Sequence, residues 1–183
     1  EAIEALEALA AEGHLDPAAR VRLARMHTTL GNEDRAIELL EQALAERSDL
    51  YEGKNDLAFL LTRRRVDLDR AVELAQEARA ALPDSPDVAD TLGFAYLEKG
   101  LPQAALPQLQ EAAELAEARG QNDPSILYHL ARALKALERN EEAASALEDS
   151  LAVEGDFPGV PREDARRELQ ALRTAEAAKG DSS

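Results

Sequence analysis

The chain has 183 residues, 45% hydrophobic but only 3% aromatic, with no Trp or Cys and a net charge of −16. The absence of Cys excludes disulfides, zinc–thiolate centres and cysteine nucleophiles, and the acidity argues against nucleic acid and anionic membrane surfaces, whose phosphates it would repel. No apolar run nears the roughly 20 residues of a membrane span, and a filling of Ala and Leu without alternating runs points to closely packed helices rather than sheet.

The chain opens on EAIEALEALAAE (1–12), an acidic helical stretch that reads as the second helix of an earlier, truncated unit. Asp16-Pro17 then supplies a cap and a first-turn proline. A helix follows through Val21, Leu23, Ala24 and Leu30 to a stop at Gly31, and a second carries Ala36, Leu40 and Ala43. That set recurs 35 residues later as Ala71, Ala75 and Ala78, 34 later again as Ala105, Leu109 and Ala112, and 38 later as Ala143, Leu147 and Ser150. One unit of two helices is therefore copied four times, at about 17–50, 51–85, 86–123 and 124–155. The second copy has one extra residue in the turn around Val66-Asp67. The third has about one extra helical turn, placed on its second helix through Glu114–Ala118 to Gly120. Pro107 falls inside that helix, where it lacks an N–H and crowds the carbonyl one turn back, so a bend is expected. Residues 161–177 close the stack as a capping helix, with Ala165, Leu169 and Leu172 on one face and a polar back, and 178–183 read as a flexible tail.

The stretch ADTLGFAYLEKG (89–100) carries the unit most clearly, as Ala89-x2-Leu92-Gly93-x2-Tyr96 followed by Ala105-x3-Leu109. The fourth copy gives Leu127-x2-Leu130-Ala131-x2-Leu134 and Ala143-x3-Leu147, and the second ends on Pro83. This resembles the tetratricopeptide repeat family, whose 34-residue unit reads W-x2-L-G-x2-Y, then A-x3-F, then P. The Trp position is never Trp here, and His27 takes the Tyr position of the first copy. The resemblance implies an all-α, right-handed α-solenoid of stacked antiparallel helix pairs that binds a protein segment in a concave groove. Together with NDLAFLL (55–61), YHLARAL (128–134) and DFPGVPREDARRELQAL (156–172), it is similar to bacterial members of cell-envelope, polysaccharide-export or protein-sorting systems. A cytoplasmic or a periplasmic, envelope-associated location in a bacterium fits equally. The start at Glu1, without Met or a signal-like segment, reads as a fragment or processed form.

The resemblance also implies which side chains of each first helix face the groove. One turn contributes Val21, Asn55, Asp90 and Tyr128; the next contributes Arg25, Phe59, Phe94 and Arg132; the third contributes Thr29, Arg63, Glu98 and Ala136, with Lys135 beside the last. Asn55, Phe59, Arg63, Asp90, Phe94, Glu98, Tyr128, Arg132 and Lys135 form the expected partner-binding set. Phe59 and Phe94 occupy one repeat position and read either as spacers between helices or as an aromatic shelf with Tyr128 beside it. The cations Arg25, Arg63, Arg132 and Lys135 read either as partner contacts or as charges balanced by neighbouring acids. Arg63-Arg64-Arg65 suits a helix end, and His129, which follows a groove position, reads either as a helix-surface histidine or as a ligand contact. Val21 with Arg25, and Asp90 with Phe94, do not match the Lys–Asn clamp by which some members hold a C-terminal carboxylate.

No P-loop, GxGxxG, GxSxG, HExxH or EF-hand loop is present, so no catalytic residue, cofactor or metal is expected. The leading expectation is a non-catalytic interaction scaffold for a peptide or helix of a protein partner. The alternatives are a self-associating, homo-oligomeric assembly spacer and the regulatory segment of a larger enzyme. The acidic surface, densest at 1–16 (−5) and 86–160 (five positive, fourteen negative), either solubilises the chain or attracts a basic partner.

Overall fold

The computed structural model describes residues 2–121, 123–153 and 162–180. Among these there are ten helices and no strand: α1 (Ala2–Ala11), α2 (Pro17–Thr29), α3 (Glu33–Glu46), α4 (Tyr51–Arg64), α5 (Leu68–Ala81), α6 (Pro86–Glu98), α7 (Pro102–Ala118), α8 (Pro124–Ala136), α9 (Asn140–Ala152) and α10 (Arg162–Gly180). They form an all-α solenoid of helix pairs: α2 with α3, α4 with α5, α6 with α7, and α8 with α9. The pairs fall into two compact units, 1–83 and 84–183.

Sequence sets the helix ends. Asp16 accepts from Ala18 and Ala19 N–H at 3.0 and 3.1 Å, and Asp123 accepts from Ser125 N–H at 2.8 Å, each just before a first-turn proline. The residue that turns the chain from first to second helix is left-handed in every pair: Gly31 (φ +76), Arg65 (φ +53), Gly100 (φ +79) and Glu138 (φ +60). Two of the four turns therefore carry an L side chain in a conformation that favours glycine. The extra residue near Val66-Asp67 adds a second left-handed residue, Asp67 at φ +48, whose carboxylate accepts from Arg70 N–H.

In the first unit the core joins Leu23, Ala24, Leu39, Leu40, Leu57 and Leu60, with Ile3 and Leu6 of α1 packed against it. In the second, Leu109 and Ala105 of α7 meet Ala133 of α8, and Leu147, Ala165 and Leu172 join α9 to α10. Small residues allow this spacing. A Cβ on Gly93 would stand 2.5 Å from Leu109 Cγ, so the α6–α7 crossing admits only glycine without rearrangement. The Trp position of the unit is filled differently in the first two copies. Arg20, 5% exposed, reaches Glu46 on the second helix of its own pair, and Lys54 reaches Glu77 in the same way. Their aliphatic stems do the filling and their charged tips are paired.

The α7 helix has 17 residues against 13 or 14 in the other paired helices, which accounts for the long third repeat, and Pro107 lies inside it. The α10 helix turns Ala165 and Leu172 inward and leaves Arg166, Gln170 and Arg173 exposed, a polar back facing outward. It runs to Gly180, into the segment expected as a tail; residues 181–183 lie outside the described residues, as do 154–161.

Candidate functional site

The first helices α2, α4, α6 and α8 carry the expected groove residues, and in each unit their polar side chains pair from one first helix to the next, with α10 following α8 in the second unit. In the first unit, Arg25 of α2 donates to Asp56 at 2.5 Å and to Glu52 at 3.3 Å, both on α4. Burial raises the Asp56 carboxyl above its ordinary range, while the Arg25 guanidinium pulls it back. Burial is the largest single influence on Arg25 and pulls it down, but the hydrogen bonds and charges of Asp56 and Glu52 together outweigh it and hold its pKa above the ordinary value.

One face of α4 then presents Asn55, Phe59 and Arg63, four residues apart and hence on successive turns. All three are half-buried. The Arg63 guanidinium lies 5.2 Å from the Phe59 ring centre and donates to Glu33 of α3 at 2.5 Å. Two polar atoms in this row, Asn55 Oδ1 and Arg63 Nε, are buried without a hydrogen-bond partner. The basic run closing α4 faces the acids that open α3, since Arg64 pairs with Asp34 as Arg63 does with Glu33. A basic helix C-terminus thus meets an acidic N-terminus, each suiting its own dipole.

In the second unit most of the expected set is consumed internally. His129 is 4% exposed, not a surface residue. Its Nδ1 donates to the Asp90 carboxylate at 2.9 and 3.1 Å, and its ring stacks on Phe94 with centroids 4.2 Å apart and planes 6° from parallel. Asp90 and Phe94 are 8% and 7% exposed in consequence, so at this position the spacer reading describes Phe94 and the shelf reading does not. Glu98 is likewise taken by Arg132 at 2.7 Å, and its side chain is 4% exposed. The same Arg132 lies 5.9 Å from the Tyr128 ring centre.

Tyr128 is buried, and its hydroxyl donates to Glu168 of α10 at 3.2 Å; Lys135 donates to the same carboxylate at 3.3 Å. Burial, followed by the charge of Glu168, pushes the Tyr128 phenol up to about 12. Tyr128, Lys135, Asp164, Arg167, Glu168 and Ala171 line an open hollow of about 360 Å³ with two charges of each sign. Lys135 is the exposed member of the expected set here, and Arg132 is half-buried.

Of the nine expected residues, Asn55, Phe59 and Arg63 come together on α4, and Asp90, Phe94, Glu98, Tyr128, Arg132 and Lys135 come together on α6 and α8. Sequence reasoning missed Asp56 and Glu168 and read His129 at the surface, and all three hold these faces in place. Their signal was an opposite charge or hydrogen-bonding group about one repeat away on the neighbouring first helix.

Residues 19–53 and 124–157 each match a family model described as the tetratricopeptide repeat. The chain is a tetratricopeptide-repeat protein. Solved tetratricopeptide-type structures share its fold. MamA from Desulfovibrio magneticus RS-1, from residue 41 to its end, is 18% identical over 82% of each chain with a TM-score of 0.67. TTC0263 of Thermus thermophilus, a thermophilic TPR protein, is 21% identical over 94% of this chain and 89% of its own, with a TM-score of 0.67. YrrB, described as a TPR protein with an unusual peptide-binding site, is 19% identical over 96% of this chain and 85% of its own, with a TM-score of 0.65. At these identities the likeness is one of fold. Among curated proteins, no sequence matches the chain. Among the described residues, no cluster of three or more His, Asp or Glu is placed to hold a metal, and no helix is long and apolar enough to cross a membrane.

Proposed function

We propose that this tetratricopeptide-repeat protein is a non-catalytic scaffold that binds a peptide or helix of a protein partner along the exposed faces of its first helices. The observation that carries this reading is the α4 row. Phe59 is half-buried beneath the Arg63 guanidinium, and Asn55 and Arg63 each hold a polar atom without a hydrogen-bond partner. An aromatic face supplies contact area, and flanking polar groups fix the register of a bound chain. In the second unit the corresponding contacts are Lys135, Arg132 and the Tyr128 hydroxyl beside the charged hollow. Asp90, Phe94 and Glu98 then serve as supports that hold α6 against α8.

The test compares proteins recovered by the wild-type chain with those recovered by Phe59→Ala and by Glu73→Ala, an exposed position on α5. Loss of a partner with Phe59→Ala and its retention with Glu73→Ala is the expected result. Equal recovery by all three would remove α4 from the binding surface.

A further inference from the structure

The first helices of the four pairs do not all begin alike. Three start on a proline, Pro17, Pro86 and Pro124, behind Asp16, Ser85 and Asp123. The α4 helix starts on Leu50-Tyr51 instead. Leu50 makes no side-chain cap hydrogen bond, and Tyr51 gives the turn its backbone N–H, which donates to the Asp49 carbonyl at 3.0 Å. An alanine would supply the same N–H. The Tyr51 side chain adds little to the fold: the residue is 37% exposed, and its ring lies 5.3 Å from Lys54 Nζ, a cation already paired with Glu77. One repeat start thus sets aside local preference for a large aromatic left in solvent, and departures of that kind belong to functional surfaces.

Helical register places this ring on the α4 row. Tyr51 stands four residues before Asn55, so Tyr51, Asn55, Phe59 and Arg63 form one continuous ridge. Tyr51 and Phe59 are about 12 Å apart along the helix axis, and Asn55 between them holds Oδ1 without a hydrogen-bond partner. The flank beside Tyr51 is acidic. Glu52 and Asp56 share one guanidinium, that of Arg25, and the Glu52 side chain is 69% exposed at the end of a 3.3 Å contact.

We propose that Tyr51 is the first contact of the α4 row, and that the row takes an extended segment of a protein partner. A Lys or Arg side chain of that segment lies against Tyr51 and Glu52, and an apolar side chain four residues away lies against Phe59. This inference rests on the α4 row as the binding surface and adds the chemistry of its occupant. Spacing selects the conformation: side chains four apart in an extended chain share a face and stand about 13 Å apart. The extended backbone between them also offers N–H groups to Asn55, whereas those within a helix are spent on its own carbonyls. Charge selects the end. A cation gains from the Tyr51 ring and from the carboxylate that Arg25 leaves in excess, and Glu77 already balances Lys54.

A phage-displayed library of short linear peptides, selected on the intact immobilised chain, supplies the probe. The enriched sequences are expected to share a Lys or Arg four positions from an apolar residue. A fluorescent synthetic copy of the most enriched one is then titrated with the wild-type chain, Tyr51→Ala, Glu52→Lys and Phe59→Ala. Tyr51→Ala and Phe59→Ala are each expected to weaken binding by about tenfold or more. Glu52→Lys should weaken it too, and a peptide with its basic residue changed to Glu should bind the Glu52→Lys chain better than the wild-type chain. Positions 51 and 52 are exposed, so circular dichroism should show unchanged helical content. A peptide that depends on Phe59 but is indifferent to Tyr51→Ala, or that depends on Tyr51 without a basic residue, overturns this inference and leaves the α4 row as a binding surface. Peptides indifferent to both substitutions, or no enrichment at all, overturn both.

Discussion

Phe59 and Phe94 share one repeat position, yet replacing each with alanine should have opposite consequences. Phe94 is 7% exposed and stacked on a buried histidine that also bonds Asp90. Truncating a buried Phe costs about 3–5 kcal/mol in transfer and cavity terms, and loss of an aromatic pair is worth about 0.5–1.5 kcal/mol beyond area. Phe59 is half-buried beneath Arg63, so its truncation costs about 1 kcal/mol. At about 4–8 °C per kcal/mol for a unit of this size, Phe94→Ala should lower the melting midpoint by more than about 12 °C and Phe59→Ala by less than about 8 °C. Repeat arrays need not unfold in one step. Circular dichroism should therefore be joined by hydrogen exchange, which is expected to place the loss on α6 and α8. If Phe59→Ala proves as destabilising as Phe94→Ala, the division between supporting and presenting aromatics is wrong.

Further outcomes follow from single sites. Gly93→Ala should destabilise: helix propensity favours Ala by about 1 kcal/mol, but forcing Cβ to 2.5 Å from the fully buried Leu109 costs about 1–3 kcal/mol. Thermal melting should show a lower midpoint, and an unchanged or higher one would mean that Leu109 can move. Glu138→Gly should raise the midpoint by relieving a left-handed L residue worth about 1–2 kcal/mol, less the chain entropy that glycine adds; a fall would contradict the strain. Tyr128 has a folded pKa of about 12, above its ordinary 10.0. Its contribution to stability is therefore intact below pH 10 and lost as pH rises toward 12. Ultraviolet titration should show a tyrosine ionising near pH 12, and Tyr128→Phe should remove that step. Glu7 is held below its ordinary 4.5, first by the Arg35 hydrogen bond against the opposing effect of burial, with His27 assisting. Its stabilisation is present above pH 4.5 and lost as pH falls through the lowered value, so Glu7→Gln should flatten the acid limb of a stability-versus-pH curve.

Much of the fold is legible in the spacing of Ala and Leu. The set Ala36, Leu40, Ala43 and its copies are, with one Ser, the residues that bury between helices. Their 38-residue step located the long α7 correctly because inserted residues must appear as extra turn. Turns without glycine were harder to read. Arg65 and Glu138 adopt the left-handed turn that Gly31 and Gly100 take, because the geometry of the pair imposes it whatever the residue. The candidate site was legible in position but not in state. Helical register put Asp90, Phe94 and Glu98 on the right helix, but their pairing with His129 and Arg132 depends on the spacing of neighbouring first helices, which no single stretch encodes. Arg20, which the sequence analysis did not single out, is buried at the Trp position of its repeat.

Site-specific photo-cross-linking tests the central claim most directly. A photoreactive phenylalanine analogue is placed in turn at Phe59 and Lys135 on first helices, and at Glu73 and Glu114 on exposed positions of second helices. The scaffold reading predicts that a partner cross-links from positions 59 and 135 and not from 73 and 114. A partner captured only from 73 or 114 would place binding on the second helices and contradict it.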